Sequence, residues 1–152
     1  MPFEIASEEE VKDSYVKKEE KLYNRSKEKR ILLAEDNELN MEIAEFMLQN
    51  EGADVSKAWN GQEAVELFRN SEPGEFDVIL MDIMMPIMDG YEAAKMIRSL
   101  DREDAKEVSI IAMTANAFTE DRIRAKAAGM DEHVAKPVDM ELLIKVIHRL
   151  VG

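Results

Sequence analysis

The chain has 152 residues, which suits one domain with a sizeable hydrophobic core. It contains no cysteine, so disulfides, thiol chemistry and cysteine-based metal sites are excluded. The formal net charge is −13, and a body this acidic should be repelled by nucleic acid and by anionic membranes. No stretch approaches the roughly 18 apolar residues of a membrane span, and the N-terminus is too charged for a signal peptide. We therefore expect a cytoplasmic protein without membrane contact.

Residues 1–28 differ in pattern from the rest and are predicted to form a linker helix ahead of a domain over residues 29–152. Ser7 and Glu10 fit a capping box, and Val11, Tyr15 and Leu22 fall on one stripe. This pattern predicts a helix over residues 8–24. A linker helix, which could dock on the domain, is favoured, and a dimerising helix and a disordered segment remain alternatives.

Residues 30–152 alternate between short apolar runs and amphipathic stretches. Strands are predicted over residues 31–34, 54–58, 77–81, 108–113 and 133–135, and helices over 38–50, 61–69, 91–100, 120–128 and 140–150. In the first of these helices Leu39, Ile43, Phe46 and Met47 are expected to face the core. Gly129 is expected in the left-handed conformation after the fourth helix, and Asp139 as the cap of the fifth.

Five strands that alternate with five helices predict an α/β fold with a parallel sheet covered on both faces. Right-handed crossovers favour the flavodoxin-like, doubly wound strand order 2-1-3-4-5. The predicted helix in residues 8–24 would be an addition to this fold. The run Val78–Met81 reads as a central strand buried on both faces, because it is apolar without interruption.

Polar side chains follow the ends of four of these strands. Glu35 and Asp36 follow the first, Asp82 the third, Thr114 the fourth and Lys136 the fifth. In the predicted sheet these ends adjoin one another at a single edge. Three carboxylates together need a cation, and oxygen ligands without histidine or cysteine indicate Mg²⁺ or Mn²⁺.

The same groups suit phosphoryl transfer, which needs an acceptor and neutralisation of charge on the phosphoryl oxygens. Asp82 would be the nucleophile, since a carboxylate is already ionised and needs no base. The metal ion, the Lys136 ammonium and the Thr114 hydroxyl would stabilise the oxygens. Each group alone is a weak signal, but their joint occurrence at four strand ends is a strong one.

Four motifs in this arrangement resemble the receiver domain of two-component response regulators, and the resemblance covers about residues 29–151. The motifs are Leu-Leu-Ala-Glu-Asp-Asn, Leu-Met-Asp-Ile-Met-Met-Pro-Ile-Met-Asp-Gly, Ala-Met-Thr-Ala and Ala-Lys-Pro. The resemblance implies that Asp82 takes a phosphoryl group from a histidine and that Thr114 and Lys136 contact the phosphoryl oxygens. It also implies a cis peptide bond between Lys136 and Pro137.

The metal ligands follow from the same resemblance. It implies that Asp36 binds Mg²⁺ directly, Glu35 through water, and the Met84 main-chain carbonyl as a further ligand beside Asp82. The chain departs from the common pattern at His133, where relatives often have tyrosine or phenylalanine, and at Met84, where many have a polar residue.

Asn37, Asn40 and the segments 114–118 and 128–131 resemble receivers of hybrid sensor histidine kinases most closely. The implied partner is a histidine kinase or a histidine phosphotransfer protein, and a small phosphodonor such as acetyl phosphate could serve. The chain is not expected to be the kinase, because its only histidines are His133 and His148 and it has no glycine-rich nucleotide loop. A monomer or weak homodimer is expected.

Three other functions are alternatives. A haloacid-dehalogenase-like phosphatase also uses aspartate, threonine or serine, lysine and Mg²⁺, but its general acid would stand at position 84, where this chain has methionine. A flavodoxin-like flavin binder needs a neutral phosphate loop where this chain has Glu35 and Asp36. An interaction module without chemistry is the third alternative. Whether the domain stands alone or belongs to a hybrid kinase stays open.

Overall fold

The computed structural model describes residues 29–115 and 119–151, so the predicted helix over residues 8–24 lies outside the described residues. Within them five strands alternate with six helices. The strands are β1 (Arg30–Ala34), β2 (Asp54–Ala58), β3 (Val78–Asp82), β4 (Ser109–Thr114) and β5 (Glu132–Ala135). The helices are α1 (Glu38–Asn50), α2 (Gly61–Arg69), α3 (Gly90–Arg98), α4 (Asp104–Glu107), α5 (Thr119–Ala127) and α6 (Met140–Val151).

All strand pairs are parallel and the order is β2-β1-β3-β4-β5, which confirms the predicted doubly wound topology. β3 lies in the centre and every one of its five residues is buried. The predicted strand and helix bounds agree with the structure to within two residues. The sequence prediction missed α4, a single turn of four residues between α3 and β4. No described helix is long and apolar enough to cross a membrane.

The sheet separates two hydrophobic clusters, as expected for a parallel sheet covered on both faces. On one face Leu32 and Ile79 pack with α2, α3, α4 and α5. On the other face Leu33 and Leu80 pack with α1 and α6. Neighbouring residues of one strand thus contribute to opposite clusters, because successive side chains point to opposite faces. This arrangement leaves the carboxyl ends of the strands free to carry polar groups.

The predicted inward face of α1 is wrong. Met41 and Leu48 are the buried residues of this helix, and the half-buried Ala44 packs beside them. The residues expected to face the core are instead exposed: Leu39 at 63%, Ile43 at 50%, Phe46 at 69% and Met47 at 41%. The helix carries two apolar stripes, and the one with the smaller residue Ala44 packs on the sheet.

The helix ends follow local rules read from the sequence. Asn37, Asn60 and Asp89 cap α1, α2 and α3, each through a side-chain oxygen that accepts a backbone N–H three residues on. Asp139 accepts from the backbone N–H groups of residues 141 and 142, which confirms its predicted role at the start of α6. Gly129 has a φ of 95°, as predicted.

A cluster around Arg102 joins the segments that precede β3 and β4. The Arg102 guanidinium donates to the carbonyl oxygens of Phe68, Ser71 and two neighbouring residues, at distances from 2.9 to 3.2 Å. It also donates to both carboxylate oxygens of Asp104 at 2.7 Å and lies over the Phe68 ring. Asp104 in turn accepts the Gly74 N–H at 2.9 Å. This cluster lies at the amino ends of the strands, on the edge opposite the polar strand ends.

Candidate functional site

The carboxyl ends of β1, β3, β4 and β5 bring the predicted site residues to one edge of the sheet. Asp82 is the last residue of β3 and pairs in register with Met113 of β4, one residue before Thr114. Glu35 follows β1 and Lys136 follows β5, the strands on either side of this pair. Parallel strands end at a common edge, so the topology alone places the four strand ends together.

Glu35, Asp36 and Asp82 form an acidic cluster in which one carboxylate oxygen of each residue lies within 4.8 Å of the other two. Glu35 and Asp82 are each 3% exposed, whereas Asp36 is exposed. The cluster is therefore buried on the side of Glu35 and Asp82 and open to solvent on the side of Asp36. Oxygen-only ligands with an open side suit Mg²⁺, which binds through one or two carboxylates and keeps several waters.

Lys136 places its ammonium between the two buried acids. Its Nζ lies 2.8 Å from an oxygen of Asp82 and 2.9 Å from an oxygen of Glu35. Burial opposes the charged ammonium, but the hydrogen bonds to Asp82 and Glu35 outweigh burial and raise the pKa of Lys136. The lysine is thus a permanent cation at this edge. The Lys136–Pro137 peptide bond that follows it is cis, as the resemblance implied.

The surroundings of Asp82 raise its pKa. Burial, with a smaller contribution from the negative charge of Glu35, raises the pKa of Asp82 from 3.8 to about 6. Hydrogen bonds from Lys136 and from the Met84 N–H, which lies 3.2 Å from the carboxylate, act in the opposite direction. At neutral pH the carboxylate is therefore ionised but incompletely compensated.

The loop between β3 and α3 packs closely against the backbone of Asp82. Ile87 has a φ of 71°, and the Met88 N–H donates to the Pro86 carbonyl oxygen at 2.7 Å, which makes residues 86–88 a γ-turn. A positive φ is strained for a β-branched residue. Ile87 is also 75% exposed, so apolar burial does not offset the strain. The Gly90 N–H then donates to the Ile83 carbonyl oxygen at 2.9 Å and closes the loop.

Two glycines allow this loop to pack as closely as it does, and the sequence reasoning missed their role. A Cβ on Gly90 would lie 2.4 Å from the carbonyl oxygen of Asp82, and one on Gly61 would lie 2.3 Å from that of Met88. Neither contact can be relieved by a side-chain movement, because both partners are backbone atoms. The available signal was the Asp89-Gly90 pair, which reads as a helix start but not as a contact with the acceptor strand.

Thr114 ends β4 and is buried. Its carbonyl oxygen accepts the Lys136 N–H at 2.7 Å, so the threonine and the lysine are joined through the backbone. His133 and Tyr91 line a small cavity together with Thr114. The His133 imidazole lies 3.7 Å from a carboxylate oxygen of Glu132. His133, where the sequence departs from the common pattern, thus borders Thr114.

Met84 has 73% of its surface exposed, in contrast to the buried site residues Glu35, Asp82 and Thr114. Its backbone N–H donates to the Asp82 carboxylate, so the backbone of Met84 lies at this edge of the sheet although its side chain is exposed. The predicted role of its carbonyl oxygen as a metal ligand stays a prediction. Asn116, two residues after Thr114, lies outside the described residues.

Comparison with known proteins gives consistent relatives. Residues 31–148 match the model of the response regulator receiver domain family. Histidine kinase 1 of Arabidopsis thaliana is 35% identical over 150 residues, which cover 78% of this chain and 12% of that protein. Hybrid signal transduction histidine kinase I from Dictyostelium discoideum is 36% identical over 121 residues, which cover 78% of this chain and 7% of that protein. The chain thus spans about an eighth of the length of the first relative and less of the second.

Among solved structures, the receiver domain of the sensor histidine kinase PA1611 from Pseudomonas aeruginosa PAO1 is 38% identical, with a TM-score of 0.74. The match covers 82% of this chain and 98% of that one, whose active site cleft holds a coordinated magnesium ion. The family model spans most of the chain, the strand order is the predicted one, and the acids and the lysine meet at one edge. The chain belongs to the response regulator receiver domain family of two-component signalling.

Proposed function

We propose that the domain accepts a phosphoryl group on Asp82 from a phosphohistidine of a histidine kinase or histidine phosphotransfer protein in the cytoplasm. The observation that carries this proposal is the incompletely compensated carboxylate of Asp82, buried between Glu35 and Lys136 at the end of the central strand. A buried acid with a raised pKa beside a specific cation is typical of functional sites.

In the proposed reaction a carboxylate oxygen of Asp82 forms a bond to phosphorus, and the phosphorus–nitrogen bond of the phosphohistidine breaks. The imidazole leaves and takes a proton from solvent. With acetyl phosphate as donor, the phosphorus–oxygen bond breaks and acetate leaves. Asp82 needs no base, because its carboxylate is ionised at neutral pH with a pKa of about 6.

Lys136 and Thr114 would hold the transferred group. The Lys136 ammonium already donates to Asp82 and can move its hydrogen bond to a phosphoryl oxygen while it keeps the one to Glu35. The Thr114 hydroxyl, at the end of the neighbouring strand, would donate to a second oxygen. Both groups are fixed by the same sheet edge, so they would be positioned before the donor arrives.

The acidic cluster fits a divalent cation, Mg²⁺ or Mn²⁺, held by Glu35, Asp36 and Asp82 with the Met84 carbonyl oxygen as a further ligand. When bound, the ion neutralises charge on the phosphoryl oxygens. Asp36 is the exposed member of the cluster, and it would give the ion its access from solvent. The domain itself would assist phosphorylation and dephosphorylation of Asp82 but catalyse no other reaction.

The relatives suggest the wider setting. The chain matches a short part of long histidine kinases, and a receiver domain 30% identical to this chain was co-crystallised with the histidine phosphotransfer protein Ypd1 of Saccharomyces cerevisiae. That match has a TM-score of 0.72 and covers 82% of this chain and 89% of that one. We infer that residues 29–152 form one receiver unit, which is monomeric or weakly dimeric. Residues 1–28 would precede this unit as a linker helix.

The test is acyl-phosphate formation with acetyl phosphate and Mg²⁺, read by intact-mass spectrometry. The native chain should gain one phosphoryl group, and Asp82→Asn should gain none while its circular dichroism spectrum stays native. Asp101→Asn, which changes an exposed aspartate outside the site, is the matched control and should be phosphorylated normally. A phosphoryl adduct on Asp82→Asn would reject Asp82 as the acceptor.

A further inference from the structure

The turn between β2 and α2 lies against the loop that follows Asp82. We call residues 83–89, between β3 and α3, the acceptor loop. The Gly61 N–H donates to the Met88 carbonyl oxygen of this loop at 3.0 Å. A Cβ on Gly61 would clash with the same oxygen and with its carbonyl carbon, so the two backbones are in direct contact. The helix α2 thus begins on the acceptor loop.

Two side chains fix the first turn of α2 and with it the direction of the Gly61 N–H. Asn60 is buried, and its side-chain oxygen accepts the Glu63 N–H at 2.8 Å. The Glu63 carboxylate in return accepts the Trp59 N–H at 2.9 Å, which closes the turn from both sides. The first N–H groups of a helix have no partner within it, and for Gly61 the Met88 carbonyl oxygen supplies one.

The acceptor loop is held near both of its ends and strained between them. The Met84 N–H donates to the Asp82 carboxylate at 3.2 Å, and the Met88 carbonyl oxygen accepts from Gly61. Ile87 lies between these two points with a φ of 71°. A β-branched residue keeps such a conformation only where the surrounding structure imposes it. Since the Ile87 side chain is exposed, the backbone contacts impose the conformation, and the one with Gly61 is adjacent to it.

The direction of the Met84 carbonyl depends on the same conformation. Only two residues separate Met84 from Ile87, so a rotation of Ile87 out of the left-handed region would turn the planar peptide units between them. The Met84 carbonyl oxygen is the backbone ligand in the proposed cation site. Release of the Met88 carbonyl oxygen would therefore disturb that site without any change to its three carboxylates.

We propose that Gly61 is a positioning residue for divalent cation binding at the acidic cluster. Its N–H fixes the Met88 carbonyl oxygen, and its lack of a side chain lets the acceptor loop lie close enough for the Met84 carbonyl oxygen to reach the cation. Gly61 acts through the loop and does not touch the cation. This inference rests on the proposed function, because it requires a cation at the acidic cluster, but it needs no phosphorylation.

The first test measures the Mg²⁺ dissociation constant from the rise in melting temperature with Mg²⁺ concentration. Gly61→Ala should weaken Mg²⁺ binding about tenfold, as is usual when a group that orients a metal ligand is removed. Gly52→Ala is the matched control, because Gly52 has a φ of 91° and a Cβ there meets nothing within 4 Å. This control loses stability away from the acceptor loop and should keep the native dissociation constant.

The outcomes of this test separate the proposal from the proposed function. Native Mg²⁺ affinity in Gly61→Ala, with acyl-phosphate formation on Asp82 in the native chain, would reject the role of Gly61 alone. Weakening by the same factor in Gly52→Ala would reject it too, because the effect would then follow from lost stability. No response to Mg²⁺ in the native chain would reject the cation site itself, and the role of Gly61 with it.

The second test follows amide hydrogen exchange without Mg²⁺. The Met88 and Gly90 amides donate to carbonyl oxygens of the acceptor loop. They should exchange about tenfold faster in Gly61→Ala than in Gly52→Ala, because the loop opens locally. Asn60→Ala removes the cap of α2 without placing an atom against Met88. It should accelerate both amides in the same direction, and it decides the question if Gly61→Ala does not fold. Amides that exchange as in Gly52→Ala would contradict the positioning role.

Discussion

Lys136 and Arg102 lie at opposite edges of the same sheet, and each donates hydrogen bonds to a carboxylate that solvent reaches little. The two carboxylates nevertheless respond in opposite ways. Hydrogen bonds from Arg102 lower the pKa of Asp104 to about 2, although burial acts against them. Burial raises the pKa of Asp82 to about 6, although Lys136 acts against it.

The difference lies in how completely each charge is matched. Asp104 has a bidentate arginine and the Gly74 N–H, and no neighbouring acid raises its pKa. Asp82 shares a single ammonium with Glu35, and Glu35 adds repulsion. A carboxylate whose charge is fully compensated by its neighbours stabilises the fold. A carboxylate whose charge is incompletely compensated can still bind a further cation or react with a ligand. The comparison therefore separates a structural ion pair from a functional one within one domain.

The strongest test of this comparison replaces each acid by its amide, without added divalent cation at pH 7. Asp82→Asn should raise the free energy of unfolding by about 1–2 kcal/mol, because it removes an incompletely compensated charge, and Asp104→Asn should lower it by about 1 kcal/mol. Urea denaturation of the two variants beside the native chain measures both. Changes of the same sign would show that the two clusters do not differ as described.

The pH dependence gives the same contrast. The folded-state pKa of Asp82 is raised, so its contribution is fully present below pH 3.8 and is lost as the pH rises to about 6. That of Asp104 is lowered, so its contribution is present above 3.8 and is lost as the pH falls to about 2. Asp82→Asn should flatten the stability profile between pH 4 and 6, and Asp104→Asn should flatten it only below pH 4.

The loss of the Arg102 hydrogen bonds should have an effect of similar size. Arg102→Met keeps the packing on Phe68 but leaves the carbonyl oxygens around residues 68–72 and the Asp104 carboxylate without their donor. We expect a loss of about 2 kcal/mol in the free energy of unfolding. Arg69→Met, an exposed arginine in the last turn of α2, is the control and should change stability little. Equal losses in both variants would show that the hydrogen bonds of Arg102 do not contribute specifically to the free energy of unfolding.

The effect of Mg²⁺ on stability is smaller and tests the acidic cluster. An ion that binds the folded state at ten times its dissociation constant stabilises it by about 1.4 kcal/mol. Mg²⁺ should therefore raise the melting temperature by a few degrees, and Asp36→Ala should remove most of the rise because Asp36 is a member of the cluster. Asp101→Ala should keep it. An unchanged rise in Asp36→Ala would assign the ion to another site.

The smallest expected effect concerns the lifetime of the phosphorylated state. The Met84 side chain follows the acceptor by two residues and offers no strong hydrogen bond to orient an attacking water. We expect slow loss of the phosphoryl group and a several-fold faster loss in Met84→Asn, about 1 kcal/mol of barrier. A decay time course with Mg²⁺ compares the two, with Met96→Asn as an exposed control. Equal decay in Met84→Asn would mean that Met84 does not limit access of water.

The sequence predicted the site better than the packing of α1. Strand ends are readable because Asp82, Thr114 and Lys136 each follow an apolar run, and the parallel topology brings such ends together. The orientation of α1 was not readable, because residues 41, 44 and 48 and residues 39, 43, 46 and 47 form two stripes on opposite sides of the helix. Periodicity cannot choose between two such stripes, and the larger residues proved to be the exposed ones.

Two other features needed coordinates because they depend on distances between remote segments. The contacts of Arg102 with the carbonyl oxygens of residues 68–72 cross about 30 positions of sequence that no local rule connects. The need for glycine at position 90 arises from the carbonyl oxygen of Asp82, which only the folded loop brings near. Sequence patterns report what a residue prefers locally, and these constraints are imposed by another part of the chain.

The γ-turn at Ile87 has a consequence for how the domain can evolve. A β-branched residue held at positive φ costs on the order of 1–3 kcal/mol, and glycine at the same place would avoid that cost. Selection for thermal stability alone would therefore favour Ile87→Gly, and the added freedom of the chain would loosen the loop that ends at Gly90 against Asp82. At residue 87 thermal stability and a firmly held acceptor would therefore place opposite demands on the side chain.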